Sequence, residues 1–250
     1  MQGSFVFPRM HLVKRGILWY DSVAFLKEQR RYPMGQLASA LDIRPGITAI
    51  IGSGGKTTLI HALARELSRQ GRVILSTSTK IFPPEGIRIL PAPPEDGFCA
   101  PVCVALPCPG GKLTAPACSF DALADRADYV LVEADGSRGL PLKAHAPHEP
   151  VIPPNSNPVI CVVGAAGFYH PADQVCHRPE VFARLAGMKL SDPVTPCHAA
   201  RVIRAEGFAG RVFLNQVESS QDQAAARAFA AALGQPVIAG SLHKGVFSCL

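Results

Sequence analysis

The sequence predicts an α/β fold in which a mainly parallel central sheet lies between two layers of helices. Short apolar, β-branched runs recur at residues 47–51, 73–75, 129–133, 159–163, 212–214 and 237–239, with the length and composition of strands buried on both faces. Helical periodicity with start and stop signals stands between several of them. The first two runs flank such a helix with short links, which is the βαβ unit of a parallel sheet.

In chain order, Ile47, Ile50 and Ile51 open the first strand, and a glycine turn follows it directly. Residues 57–69 form a helix, with Leu59, Leu63 and Leu67 on one face and Gly71 placed to terminate it. Residues 83–116 hold nine of the 23 prolines, so this stretch is loop or short edge strands, with 102–106 the best strand candidate. The run 129–133 ends in an acid, and a second proline-rich loop spans 141–158. Pro179 and Pro196 sit where a helix's first turn accepts proline, and Thr195 caps a helix that ends at Gly207. Ser220 caps an alanine-rich helix that ends before Gly234.

Composition narrows the function classes. Apolar residues make up 48% of the 250 and charged residues 18%, too apolar for disorder or a coiled coil. No apolar run approaches the ~20 residues of a membrane helix, and charges and prolines interrupt the N-terminus where a signal peptide is apolar. A cytoplasmic protein without a membrane partner is expected. The net charge of +6 raises nucleic acid as a partner, but its distribution argues against that. Residues 1–33 contain six basic residues against Asp21 and Glu28, so four of the six net charges lie there. This segment reads as a basic N-terminal extension. It is either a helical element packing through Val23, Phe25 and Leu26 or the product of an upstream start, with residues 34–250 as the main domain. None of the eight cysteines forms a C-x-x-C pair, so free thiols are expected; Cys99, Cys103, Cys108 and Cys118 are the only loose group.

The chemistry concentrates in Gly52, Ser53, Gly54, Gly55, Lys56, Thr57 and Thr58, between a buried strand and an amphipathic helix. That is the context of a phosphate-binding loop. Small residues let backbone N–H groups face phosphate oxygens, and the helix N-terminus adds partial positive charge. Lys56 reaches the β- and γ-phosphates of ATP or GTP, and the Thr57 hydroxyl ligates Mg²⁺. The pattern is a variant, because the first glycine of G-x-x-x-x-G-K-[ST] falls at Ile50. The fold class narrows accordingly to a P-loop NTPase-like three-layer fold.

Glu133 and Asp135 close the next buried strand, where P-loop proteins carry the acid that holds Mg²⁺ directly or through water. They lie on one face if the strand continues, although Gly136 suggests a turn. Asp135 is the preferred residue to orient an attacking group. Thr77, Thr79 and Lys80 follow the second strand at the sheet edge where open α/β folds bind ligands. Asn215 stands after a strand where GTPases read guanine through Asn-Lys-x-Asp. Here Gln216 and Glu218 break that pattern, so base contact and the choice of base stay open.

Together these segments resemble the YqeC-like proteins of selenium cofactor biosynthesis. The resemblance rests on the loop 52–58, the run 77–80, and Glu133-Ala134-Asp135-Gly136-Ser137-Arg138-Gly139-Leu140-Pro141-Leu142-Lys143. His148-Glu149-Pro150, His177-Arg178-Pro179 and Leu214-Asn215 extend it over most of 34–250. It implies an NTP-binding accessory protein in the maturation of selenium-dependent molybdenum hydroxylases, with such an apoenzyme as a partner. Arg138, Lys143 and His148 follow the acidic pair on a proline-stiffened loop and read as substrate or transition-state contacts. Two functions fit: an enzyme that hydrolyses or transfers the phosphoryl group of Mg·NTP, or a nucleotide-switched chaperone that delivers cofactor or selenium.

Overall fold

The apolar runs become strands because each face finds a helix layer to bury it. In the computed structural model, which describes residues 31–33, 35–95 and 97–250, the chain begins with β1 (Arg31–Pro33), α1 (Leu37–Ala40), β2 (Gly46–Gly52), α2 (Lys56–Leu67) and β3 (Val73–Thr77). The first proline-rich stretch carries β4 (Arg88–Leu90), β5 (Val102–Val104), β6 (Leu106–Cys108) and β7 (Lys112–Thr114). Then come α3 (Phe120–Ala124), β8 (Tyr129–Glu133), β9 (Leu142–Lys143), β10 (Val159–Gly164), α4 (Ala172–Val175) and β11 (Cys176–His177). The chain closes with α5 (Pro179–Ala186), α6 (Pro196–Glu206), β12 (Arg211–Asn215), α7 (Ser220–Leu233), β13 (Val237–Ser241) and β14 (Val246–Cys249).

Ten strands form the main sheet in the order β1-β14-β13-β12-β10-β2-β8-β3-β5-β4. The eight from β13 to β4 run parallel; β14 is antiparallel to β13, and β1, antiparallel to β14, runs in the same direction as the eight. The fold is the expected three-layer α/β architecture. The first strand pair differs from a simple βαβ neighbour pair, because β8 inserts between β2 and β3. That insertion matters for function: it sets the acidic end of β8 beside the glycine loop, with Ile50 opposite Glu133.

Alternation along the strands divides the core. Ile50, Leu75, Leu131, Val162 and Phe213 face α1 and α2, burying Leu59, Leu63 and Leu67, each worth about 1.5–3 kcal/mol relative to exposure. On the opposite face, Ile51, Cys161, Val163 and Leu214 pack against α5, α6 and α7, and Ile74, Val130 and Val132 pack against α3. Pro179 and Pro196 occupy first turns as expected, and Thr195 caps α6, which ends at a left-handed Gly207. For α7 the cap is Ser219 rather than Ser220: its hydroxyl accepts from Asp222 N–H, and Asp222 returns a bond to the cap. Two adjacent serines offer the same chemistry, and the reciprocal aspartate selects the earlier one.

The strand candidate at 102–106 is divided between β5 and β6, and the β6–β7 hairpin lies apart from the main sheet. Residues 1–30, including Val23, Phe25 and Leu26, lie outside the described residues. Arg31–Pro33 pairs with β14 at the sheet edge. Among the described residues, no helix is long and apolar enough to cross a membrane.

Candidate functional site

At the C-terminal end of β2 the backbone is drawn tightly into the sheet. Gly52 N–H donates to Asp135 Oδ2 at 2.8 Å, Ser53 N–H donates to Val162 O at 2.8 Å, and the Ser53 hydroxyl donates to Leu140 O. Gly54 and Gly55 then take φ of +89° and +122°. A Cβ on Gly54 would stand 2.4 Å from the Gly164 backbone, and one on Gly55 would stand 2.5 Å from Asn215 Nδ2. Both positions therefore exclude side chains by backbone conformation and by space. Helix α2 starts immediately at Lys56 and runs 12 residues.

The N–H groups of Gly54, Gly55, Lys56, Thr57 and Thr58 make no hydrogen bond among the described residues. Thr57 and Thr58 are exposed, so these donors lie at an open helix N-terminus. Five unspent donors at the positive end of a helix dipole form an anion cradle.

The two carboxylates of β8 have different surroundings. Thr57 Oγ1 donates to Glu133 Oε2 at 3.1 Å, and Lys56 Nζ lies 3.7 Å from Glu133 Oε1. Burial raises the Glu133 pKa, with Lys56 and Thr57 only partly offsetting it. A hydroxyl and a carboxylate converging beside the cradle are hard oxygen donors of the kind Mg²⁺ takes. Among the described residues no three His, Cys, Asp or Glu side chains group to hold a metal. A cation here would draw its remaining ligands from water and ligand phosphates, as Mg²⁺ commonly does.

Asp135 is enclosed. Its Oδ2 receives Gly52 N–H and lies 2.7 Å from His145 Nε2 and 3.2 Å from Lys143 Nζ. Its Oδ1 stands 3.0 Å from Lys56 Nζ, an ion pair without an aligned hydrogen bond. Burial disfavours the charged form, but Lys56, the His145 hydrogen bond and Lys143 prevail and hold the pKa at about 2. The Asp135 side chain has no exposed surface. The Lys56 ammonium also donates to Gly52 O at 2.7 Å and Ser137 Oγ at 3.2 Å.

The sequence did not single out His145 or Glu206. The His145 ring is buried, with Nε2 on Asp135 and Nδ1 2.8 Å from Glu206 Oε2, and its backbone N–H donates to Glu206 Oε1 at 2.6 Å. Burial opposes protonation of the ring, but the two carboxylates outweigh it and raise its pKa. Glu206 is the last residue of α6, so a hydrogen-bonded chain links the glycine loop to that helix. Nothing local in the sequence announces a pairing across 61 residues.

The remaining predicted residues divide into two sets. Thr77 Oγ1 donates to Glu133 O at 2.9 Å and accepts from Thr79 N–H, which makes it a turn anchor beneath the acidic strand end. Lys80 is exposed. Asn215 braces the loop: Nδ2 donates to Gly54 O at 2.8 Å and Oδ1 accepts from Leu242 N–H at 3.1 Å, so both ends of its amide are engaged by backbone. Lys143 is buried and donates to Gly136 O and Glu149 Oε2, whereas Arg138 and His148 are exposed. All eight cysteines are free. Cys103 belongs to the core beneath α2 and Cys118 packs on the opposite face beside α3, so the loose group of four does not converge.

Residues 48–180, which contain the loop, both carboxylates, Lys143 and His145, match the family described as YqeC protein. The YqeC protein of Escherichia coli (strain K12) is 36% identical over 161 residues, covering 58% of this chain and 62% of the relative. The matched region thus spans less than two thirds of that relative's length. With more than half of its length matched, the chain belongs to the YqeC family.

Proposed function

We propose that the protein binds a nucleoside triphosphate, ATP or GTP, with Mg²⁺ at the loop 52–58, and hydrolyses it or transfers its phosphoryl group during maturation of a selenium-dependent molybdenum hydroxylase. The observation that carries the nucleotide reading is the row of five unspent N–H groups at the start of α2, beside Lys56 and the Thr57–Glu133 pair. The pathway reading rests on the family resemblance.

In this reading Lys56 exchanges Asp135 and Glu133 for phosphate oxygens when nucleotide enters, a short movement for a side chain already at the loop. Thr57 and Glu133 hold Mg²⁺, which supplies neutralising charge to the phosphates. Asp135 acts as a positioning residue: it fixes the loop through Gly52 N–H and keeps Lys56 aimed. Asn215 braces Gly54 from below. Preorganised donors of this kind stabilise developing charge at little reorganisation cost.

A second reading, a nucleotide-switched chaperone delivering cofactor or selenium to an apoenzyme, is favoured by one observation. The chain Lys56–Asp135–His145–Glu206 joins the phosphate loop to the end of α6. Release of Lys56 to phosphate would alter the charge balance along it, and α6 could report this to a partner.

Phosphate release from ATP and GTP tests the proposal. Lys56→Ala is expected to lower turnover by at least about 100-fold, and Thr57→Val to raise the Mg²⁺ concentration needed for half-maximal rate. Full turnover by Lys56→Ala would overturn the enzymatic reading. Turnover that requires an added molybdenum hydroxylase would favour the chaperone.

A further inference from the structure

A second group of cations stands beside the phosphate loop. Strands β9 and β11 pair in parallel and set His177 opposite Lys143. The next residue, Arg178, has φ of +62° at the start of α5. Its Nε donates to Glu149 Oε2 at 3.1 Å, and its Nη2 lies 3.4 Å from His148 Nε2. Arg138 also has a left-handed φ, +52°. It is exposed and makes no ion pair or hydrogen bond among the described residues, while its neighbour Ser137 touches Lys56.

These side chains are tied together through Lys143, which donates to Gly136 O two residues before Arg138 and to Glu149, the carboxylate that also takes Arg178 Nε. His177 is held below its ordinary pKa, first by partial burial and then by Lys143, Arg178 and Arg138, with Glu149 only partly opposing them. One carboxylate, Glu149, is shared by Lys143 and Arg178. Lys143 is further neutralised by Asp135, which leaves Glu149 to Arg178 and Arg138 as the positive charge without a carboxylate partner among the described residues. Arg178 gives Glu149 a single Nε bond and keeps the rest of its donor fork. Both arginines adopt a backbone conformation that costs a non-glycine residue energy, a feature that clusters at ligand sites.

We propose that Arg138, His177 and Arg178 bind the oxyanion group of a second, small-molecule substrate beside the nucleotide. The group is a carboxylate or a tetrahedral oxyanion, either of which suits the planar donor fork of arginine. Its role as a co-substrate rests on the nucleotide reading above; the anion site itself does not. The loop N–H groups and Lys56 already provide for the nucleotide phosphates. The arginine cluster, joined to Lys56 through Ser137, is placed to hold the acceptor next to them.

Calorimetric titration with inorganic phosphate, and separately with malonate, tests this at constant ionic strength, so that general charge screening is held fixed. The wild-type protein is expected to take up one equivalent at this site in addition to any bound by the loop. Arg138→Gln should weaken that equivalent about fivefold or more, and Arg138→Gln/Arg178→Gln at least about tenfold. Tighter phosphate than malonate binding identifies a tetrahedral oxyanion, and the reverse order a carboxylate. Arg138 is exposed and unpartnered, so the single variant keeps its fold and remains decisive.

The proposal is overturned if the wild-type protein binds neither probe, or if Arg138→Gln binds both as tightly as wild type. It is also overturned if Arg138→Gln loses affinity for a non-hydrolysable nucleotide by the same factor, since the arginine would then be a nucleotide contact. Failure of nucleotide to bind the wild-type protein would refute the preceding section while leaving the anion result to decide this one.

Discussion

Replacing Asp135 with alanine is expected to lower the free energy of unfolding by roughly 3–5 kcal/mol at neutral pH. Asp135 is the common partner of Lys56, Lys143 and His145. The two lysine side chains are almost wholly buried, at 2% and 1% exposure. Removing the aspartate leaves Lys56 with only the more distant Glu133 and Lys143 with only Glu149, which Arg178 shares, and Gly52 N–H loses its acceptor. Urea unfolding measures the loss; a change below about 1 kcal/mol would contradict the role given to Asp135.

The same residue sets an acid dependence. Its folded pKa of about 2 lies below the ordinary 3.8, so its stabilising contribution is present above 3.8 and disappears as pH falls toward 2. Asp135→Ala should lack that part of the acid transition. His145 behaves oppositely. Its pKa is raised from 6.5, so its contribution is complete below 6.5 and declines as pH rises through the higher folded value.

Gly54→Ala is expected to reduce nucleotide affinity at least about 100-fold and to cost about 1–3 kcal/mol of stability. The new Cβ would lie 2.4 Å from Gly164 Cα and N, and φ is +89°. Because the obstacle is backbone, relief requires the loop to lift away from β10 and to misdirect the five donors. Gly97→Ala is the control, having nothing within 4 Å of its Cβ and no positive φ. Equal effects from the two substitutions, in calorimetry and urea unfolding, would show that the loop's tight seating is not what nucleotide binding needs.

Local signals carried most of the fold. Strands buried on both faces appear in a sequence as apolar runs, and the prolines and glycines at helix ends act through their own backbone preferences. The loop was legible for the same reason, since Gly54, Gly55, Lys56 and Thr57 are consecutive. Strand order was not legible: nothing in residues 47–75 says that β8 will insert between β2 and β3. The roles of the two acids were equally hidden. Glu133 and Asp135 look interchangeable along the chain, and only tertiary packing puts Thr57 on one and two lysines and a histidine on the other. His145 needs Glu206 on a distant helix, and Arg178 needs the pairing of β9 with β11, before either can be recognised as part of a site.

The central claim is that the glycine loop is a nucleotide site. Calorimetric titration of the wild-type protein and Lys56→Ala with non-hydrolysable ATP and GTP analogues in the presence of Mg²⁺ tests it most directly. Saturable binding of one analogue at one site in the wild-type protein, weakened at least about tenfold in Lys56→Ala, is the predicted result. No binding of either analogue to the folded wild-type protein, or equal binding to both proteins, would contradict it.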